Sequence, residues 1–82
     1  MKLHIMLFAT LKMKAGSDSL EVEVPGNSTT VAEVISAAVK AKPQLESSLR
    51  TMVVAINKEF ASKDQAVVEG DAIAFFPPVS GG

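Results

Sequence analysis

The sequence lacks cysteine, tryptophan and tyrosine altogether. Without cysteine the chain forms no disulfide, offers no thiolate to a metal and carries no cysteine nucleophile or persulfide, so sulfur chemistry would need another carrier atom. Its net charge is only −1, which provides no electrostatic attraction to nucleic acid or anionic lipid. We therefore expect partners to be bound mainly through apolar contacts.

Long apolar runs are also missing. The longest is far too short to cross a membrane, and residues 1–12 have no small-residue cleavage site, which favours a strand over a signal peptide. The hydrophobic content of 48% excludes a disordered chain, and 82 residues fit one domain with a single pair of packed layers. We expect a soluble cytoplasmic protein with neither nucleic-acid nor membrane partners.

Alternating and helical spacings predict the first half of the fold. Residues 2–8 and 19–24 each alternate apolar with other side chains, which predicts an N-terminal hairpin. Residues 29–43 change to helical spacing, with Thr30 and Glu33 as a capping box and Pro43 marking the end. The apolar stripe of this predicted helix consists of Val31, Val34, Ile35, Ala38 and Val39.

The sequence pattern in the second half of the chain predicts strands joined by short turns. Residues 44–50 suggest one short helical turn, residues 52–56 a buried strand and residues 59–61 a very short strand after a turn at Asn57. Residues 72–76 form the last strand. The predicted fold is α+β, a mixed sheet with one main helix packed on one face, and it resembles the β-grasp of ubiquitin-like proteins. The other face of the sheet is left open to a partner.

Residues suited to catalysis are scarce. His4 is the only histidine and has no second ligand in view. The carboxylates fall on turns, caps and solvent positions, and Gly70 is a single turn glycine and no phosphate-binding loop. We predict no metal site, no bound cofactor and no catalysis by this chain alone.

The phenylalanines divide between two sides of the sheet. In a small core without tryptophan or tyrosine, the simplest expectation is that all four are buried. Strand parity argues otherwise, because Phe8 points away from the inward residues of the first strand and Phe76 points away from Phe75. We predict that Phe8, Phe60 and Phe76 lie on the uncovered face and bind a partner.

The segment AFFPPVSGG, residues 74–82, predicts a boundary in the chain. The β-grasp domain is expected to occupy residues 1–76, and an extended tail is expected to follow at residues 77–82. Two prolines cannot continue a central strand, and six extended residues reach about 20 Å. The glycines have no Cβ, which allows passage through a narrow slot. The inserted segment is predicted to be Pro77, Pro78, Val79, Ser80 and Gly81. The carboxylate of Gly82 is then a reactive group delivered to a partner.

These residues carry a resemblance to a known family. The segment AFFPPVSGG after the Gly-Asp turn, LFA at residues 7–9 and VVAIN at residues 53–57 together resemble the small subunit of molybdopterin synthase, the MoaD family. The resemblance covers essentially the whole chain. One departure lies in TLKMKAG, where many family members carry Arg-Glu in place of Lys12-Met13.

The resemblance implies a mechanism and partners. An E1-like enzyme would adenylate Gly82 with ATP, and the adenylate would become a thiocarboxylate. The tail would then enter the large synthase subunit, in a heterotetramer of two small and two large subunits. There the sulfur would pass to cyclic pyranopterin monophosphate to form the dithiolene of molybdopterin.

Other functions share the paired glycines. A ubiquitin-like modifier would use the same adenylate to acylate protein lysines, and a thiamine-pathway sulfur carrier would deliver sulfur elsewhere. A β-grasp interaction module with an incidental ending is a further alternative. The preceding Phe-Phe-Pro-Pro-Val favours the molybdopterin synthase subunit, because it indicates one fixed partner interface.

Overall fold

The first two strands form the predicted hairpin. In the computed structural model, which describes residues 1–48 and 50–78, strand β1 (Lys2–Leu7) pairs antiparallel with β2 (Ser19–Glu23). Side chains alternate along β1 between buried and exposed. The buried ones are Leu3, Ile5 and Leu7. The predicted parity of the first strand is therefore confirmed.

One short helix was not predicted from the sequence. A short helix, α1 (Thr10–Ala15), connects the two strands of the hairpin. Leu11 and Ala15 lie one turn apart and are both buried, and Gly16 ends the helix in a left-handed conformation with φ of 74°. Its three apolar residues, Leu11, Met13 and Ala15, recur at every second position, and six residues with this spacing do not show the periodicity of a helix.

The main helix begins at the predicted cap. Helix α2 (Val31–Ala41) follows Thr30, whose hydroxyl accepts a hydrogen bond of 3.3 Å from the Glu33 backbone N–H. This bond satisfies one of the free N–H groups of the first turn. Four members of the predicted stripe are buried and Val39 is partly buried. A 3₁₀ helix (Pro43–Ser48) then provides the predicted short helical turn.

The last strands complete a mixed sheet. The remaining strands are β3 (Thr29–Thr30), β4 (Val53–Ile56), β5 (Glu59–Phe60), β6 (Ala66–Val67) and β7 (Ile73–Phe76). Strand β7 is central, parallel to β1 and antiparallel to β4, and the order across the sheet is β2-β1-β7-β4-β5. A separate two-stranded sheet joins β3 to β6, a pairing that the sequence did not predict.

The hydrophobic core lies on one face of the five-stranded sheet. Inward side chains of β1, β4 and β7 pack with the buried stripe of α2, with Leu11 of α1 and with Leu45 of the 3₁₀ helix. The α+β arrangement predicted from the sequence is confirmed, with the main helix on one face. Within residues 1–48 and 50–78, no helix is long and apolar enough to span a membrane.

Candidate functional site

The face of the sheet opposite the core carries an apolar surface. We call it the aromatic face and define it by Met6, Phe8, Phe60 and Phe76. Met6, Phe8 and Phe60 are exposed, Phe60 to 80% of its surface, while Phe76 is partly buried. Large apolar side chains grouped at the surface of a small domain indicate a binding site.

Two of the aromatic rings stack on each other. The centroids of Phe8 and Phe76 are 4.7 Å apart and the ring planes differ by only 9°. A stacked pair of this kind contributes about 0.5–1.5 kcal/mol beyond its buried area. Each ring therefore limits the rotation of the other, and the pair forms a preorganised apolar surface.

Shallow grooves lie on both sides of the stacked pair. One, of about 480 Å³, has Ala55 and Ala74 among its lining residues, and these two are directly opposed in the register of β4 and β7. The other, of about 360 Å³, includes Val53, Pro77 and Pro78. Phe8, Phe60 and Phe76 line both grooves. Small residues among large rings form recesses that can receive apolar side chains of a partner.

The chain leaves the sheet beside the stacked pair. The Phe8 N–H donates to the Phe75 carbonyl at 3.2 Å. In a parallel ladder the Phe8 carbonyl would next accept from residue 77, but Pro77 has no N–H. That carbonyl instead accepts the Leu11 N–H at 3.1 Å, at the start of α1. Pro77 thus ends the sheet next to the aromatic face.

Ala9 is a site residue that the sequence did not predict. Its φ of 53° and ψ of −126° lie in a region that side-chain-bearing residues rarely adopt, and it lines the groove beside Pro77 and Pro78. Such a conformation costs about 1–3 kcal/mol and is often found at functional sites. The strained residue turns the chain from β1 into α1 and so fixes the position of Phe8. A glycine at position 9 would have indicated an unusual backbone conformation from the sequence alone, whereas an alanine does not.

Phe75 and Phe76 lie on opposite faces of the sheet. Phe75 is fully buried, whereas its neighbour Phe76 stacks on Phe8 on the other side of the sheet. The structure thus brings the three predicted residues Phe8, Phe60 and Phe76 together around shared grooves. Their role in partner binding stays a prediction.

On the side of the sheet that carries the aromatic face, the residues near the β2 edge are charged. Glu21 lies opposite His4, with an Oε2 to Nε2 distance of 3.3 Å, and Glu23 lies opposite Lys2. His4 is therefore an exposed sheet residue with a carboxylate neighbour. On this side of the sheet the charged area therefore lies toward β2, and the apolar area lies toward β7, β4 and β5.

Groups for acid–base or metal chemistry do not gather at the aromatic face. No cluster of three or more metal-binding side chains occurs in the part of the chain that the structure describes. The pKa of the exposed Asp64 carboxyl is lowered, chiefly by a hydrogen bond of 2.7 Å from the Ser62 hydroxyl. This pair lies in the loop before β6 and does not line either groove.

Four of the predicted site residues lie outside the part of the chain that the structure describes. Val79, Ser80, Gly81 and Gly82 fall beyond residues 1–48 and 50–78. Of the predicted tail, Pro77 and Pro78 are described, and both line the groove beside the stacked pair. The Lys12-Met13 departure maps to exposed positions of α1.

Comparison with known proteins identifies relatives over nearly the full length. A model described as the ThiS family matches residues 5–82. The chain is 38% identical over 80 residues to the molybdopterin synthase sulfur carrier subunit of Dictyostelium discoideum, covering 95% of this chain and 93% of that one. It is also 40% identical over 84 residues to small archaeal modifier protein 1 of Haloferax volcanii, covering 93% and 95%.

Solved structures agree with the fold. A crystal structure of the same Haloferax volcanii modifier protein matches with a TM-score of 0.87 at 38% identity, covering 99% of both chains. A putative molybdopterin converting factor subunit 1 from Pyrococcus furiosus matches with a TM-score of 0.82 at 27% identity, covering 95% of this chain and 98% of that one. These matches confirm the predicted ubiquitin-like β-grasp fold.

Proposed function

Because the chain belongs to the ThiS family, we propose that it is the sulfur-carrier small subunit of a molybdopterin synthase. The observation that carries this proposal is the stacked Phe8–Phe76 pair beside Pro77, where the chain leaves the sheet. An apolar docking surface next to the start of a tail suits a protein that must hold a partner while the tail enters it. The relative in Dictyostelium discoideum, named as such a subunit, supports the same role.

The reactive group in this proposal is the carboxylate of Gly82. A carboxylate is a poor acceptor of nucleophiles until one oxygen becomes part of a leaving group. Adenylation with ATP by an E1-like enzyme provides that leaving group, and displacement of AMP by a sulfur donor gives a thiocarboxylate. The thiocarboxylate sulfur is a good nucleophile, which suits a chain without cysteine.

The proposed acceptor is cyclic pyranopterin monophosphate bound by the large subunit. Attack by the carrier's sulfur forms a carbon–sulfur bond while the attacked carbon gives up a carbon–oxygen bond, and cleavage of the acyl–sulfur bond by water returns the Gly82 carboxylate. A dithiolene has two sulfur atoms, so it consumes two loaded chains. A heterotetramer of two small and two large subunits is the proposed assembly. We place it in the cytoplasm, where ATP is available to the activating enzyme.

In this proposal the chain itself performs no bond-making catalysis. Phe8, Phe60 and Phe76 dock the large subunit, and the segment from Pro77 to Gly81 reaches into its active site. ATP acts only as a substrate of the activating enzyme.

A second candidate is a ubiquitin-like modifier. The similarity to small archaeal modifier protein 1 favours it, because both identity and coverage are high. The modifier would share the Gly82 adenylate and then form an amide with a protein lysine. A thiamine-pathway sulfur carrier would share the thiocarboxylate but would not yield molybdopterin.

Intact mass spectrometry and a synthase assay distinguish these candidates. The chain is incubated with an activating enzyme, ATP and a sulfur donor, and its C-terminal peptide is then examined. We expect a sulfur-for-oxygen mass increase on that peptide and formation of molybdopterin when the large subunit is added. Lysine conjugates without a sulfur-loaded form would favour the modifier, and loading without molybdopterin would favour the thiamine-type carrier.

A further inference from the structure

The five-stranded sheet has one long unpaired edge. Strand β2 lies at the edge next to β1 and has five residues, whereas β5 at the opposite edge has two. Within residues 1–48 and 50–78, no strand pairs with the outer side of β2. An unpaired edge presents backbone groups to which another extended chain can add as a strand.

The hydrogen bonds to β1 show which backbone groups point outward. Met1 and Val24 exchange two hydrogen bonds, one from the Val24 N–H at 3.0 Å and one from the terminal amine at 2.6 Å. In an antiparallel pair the bonded positions recur at every second residue, so Leu20 and Val22 also face β1. The residues between them direct their N–H and C=O groups away from the sheet.

Those outward groups belong to Glu21 and Glu23, and a groove lies beside them. It has a volume of about 360 Å³, and strand β2 forms one side of it. Ala37, Lys40 and Ala41 of α2 form the other side. The alanines leave room for apolar side chains of an added strand on the α2 side. Alternate side chains of that strand would face the glutamates on the opposite side of the sheet.

Charge decides which strand fits this edge. Among the described residues, Glu23 lies opposite Lys2 in the register without forming an ion pair, and Glu21 has only the His4 contact at 3.3 Å. A second copy of β2 would place glutamates opposite glutamates, which is unfavourable. A strand with basic residues at those positions would instead form opposite-charge pairs.

We propose that the β2 edge binds an extended peptide segment in which apolar residues alternate with lysine or arginine. The segment adds as a sixth strand, with its apolar side chains in the groove against α2 and its basic side chains beside Glu21 and Glu23. Strand β1 separates this edge from β7 and the start of the tail. Binding at the edge therefore does not depend on sulfur transfer.

Peptide titration tests the proposal directly. The probe is acetyl-KVKVKVK-amide, added to the full chain labelled with ¹⁵N. We expect amide shifts centred on Glu21, Glu23, Ala37 and Ala41, and slower hydrogen exchange at the Glu21 and Glu23 amides. The peptide acetyl-EVEVEVE-amide should bind about tenfold more weakly. No shift at millimolar peptide, or shifts centred on the aromatic face, would overturn the proposal.

A matched pair of variants isolates the backbone contribution. Glu21→Ala removes the charge alone, whereas Glu21→Pro also removes an outward N–H, a change that an edge strand tolerates. Affinity should fall about two- to fivefold in Glu21→Ala and by a further factor of about five to ten in Glu21→Pro. Thermal melts verify that both variants fold. Equal affinities of the two folded variants would contradict strand addition.

N-methylated peptides provide a test on the unmodified protein. Methylation of the backbone at all lysines and methylation at all valines are compared. In an added strand one alternate set of amides faces β2 and the other faces solvent. One methylated peptide should therefore lose binding and the other keep it, and equal effects would overturn the proposal.

Discussion

Phe75 and Phe76 are adjacent in the sequence and belong to the same strand, yet they serve opposite sides of the sheet. Phe75 is fully buried in the core, whereas Phe76 stacks on Phe8 on the aromatic face. The difference follows from the alternation of side chains along a strand and from the presence of one main helix, which covers one face only.

The comparison shows how a small domain separates stability from binding. In a chain of 82 residues little surface can be buried, so the residues of the core are needed for folding. The side chains of the aromatic face contribute less to the packing of the core, and they are therefore available to contact a partner. Changes on the two faces should therefore affect different measurements, and the predictions below test that separation.

The largest expected effect comes from changes at Gly82, which leave both faces of the sheet intact. Deleting Gly82, or adding one residue after it, should abolish sulfur transfer because the reactive carboxylate is lost or displaced. A tail contributes few packed contacts, so the melting temperature should stay unchanged. Thermal melts and a synthase assay on the same samples test this prediction. Molybdopterin formation by the extended chain would contradict it.

The next largest effect concerns the covered face. Phe75→Ala should lower the free energy of unfolding by about 3–5 kcal/mol, because it leaves a cavity in the core. Denaturant melts measure the loss. Phe60→Ala is the matched control on the aromatic face and should change stability by about 0.5 kcal/mol or less, since 80% of Phe60 is exposed. Similar losses in the two variants would remove the distinction between the faces.

The corresponding change on the aromatic face should reverse this pattern. Phe76→Ala should weaken binding to the large subunit by about 2–4 kcal/mol, as for a central aromatic residue of an interface. Its stability should fall by only about 1 kcal/mol, because the lost stack is partly exposed. Titration calorimetry and denaturant melts measure the two effects. Unchanged binding would exclude the stacked pair from the interface.

The smallest expected effect is a gain in stability. Ala9→Gly relieves a strained backbone conformation but adds freedom to the unfolded chain, so stability should rise by about 0.5–1 kcal/mol. Ala37→Gly, in the interior of α2, should instead lower stability by about 1 kcal/mol. Denaturant melts compare the two variants. Equal losses in both would show that the Ala9 conformation carries no strain.

Strand parity made much of the fold and of the candidate site predictable. Long alternating segments and a capped helical stripe identified the hairpin and α2, and parity placed Phe8 and Phe76 opposite Phe75. Helix α1 escaped prediction because its three apolar residues among six recur at every second position and show no helical period. The β3–β6 pair escaped because strands of two residues carry almost no pattern.

The site residues missed by sequence analysis depend on tertiary context. Ala9 is an ordinary residue type, and only its backbone angles mark it. The role of Ala55 and Ala74 in lining a groove depends on the register of β4 against β7, which no local pattern contains. The predicted tail beyond Pro78 lies outside the described residues, and its function stays a prediction.

The central claim is that the chain carries sulfur on Gly82 and delivers it to a pterin on a bound large subunit. The most direct measurement loads the chain with radioactive sulfur and follows the label after mixing with the large subunit and cyclic pyranopterin monophosphate. The account predicts that the label moves from the protein to molybdopterin, with two loaded chains consumed for each dithiolene. Label retained on the chain, or a chain joined through Gly82 to a lysine without sulfur in the pterin, would contradict it.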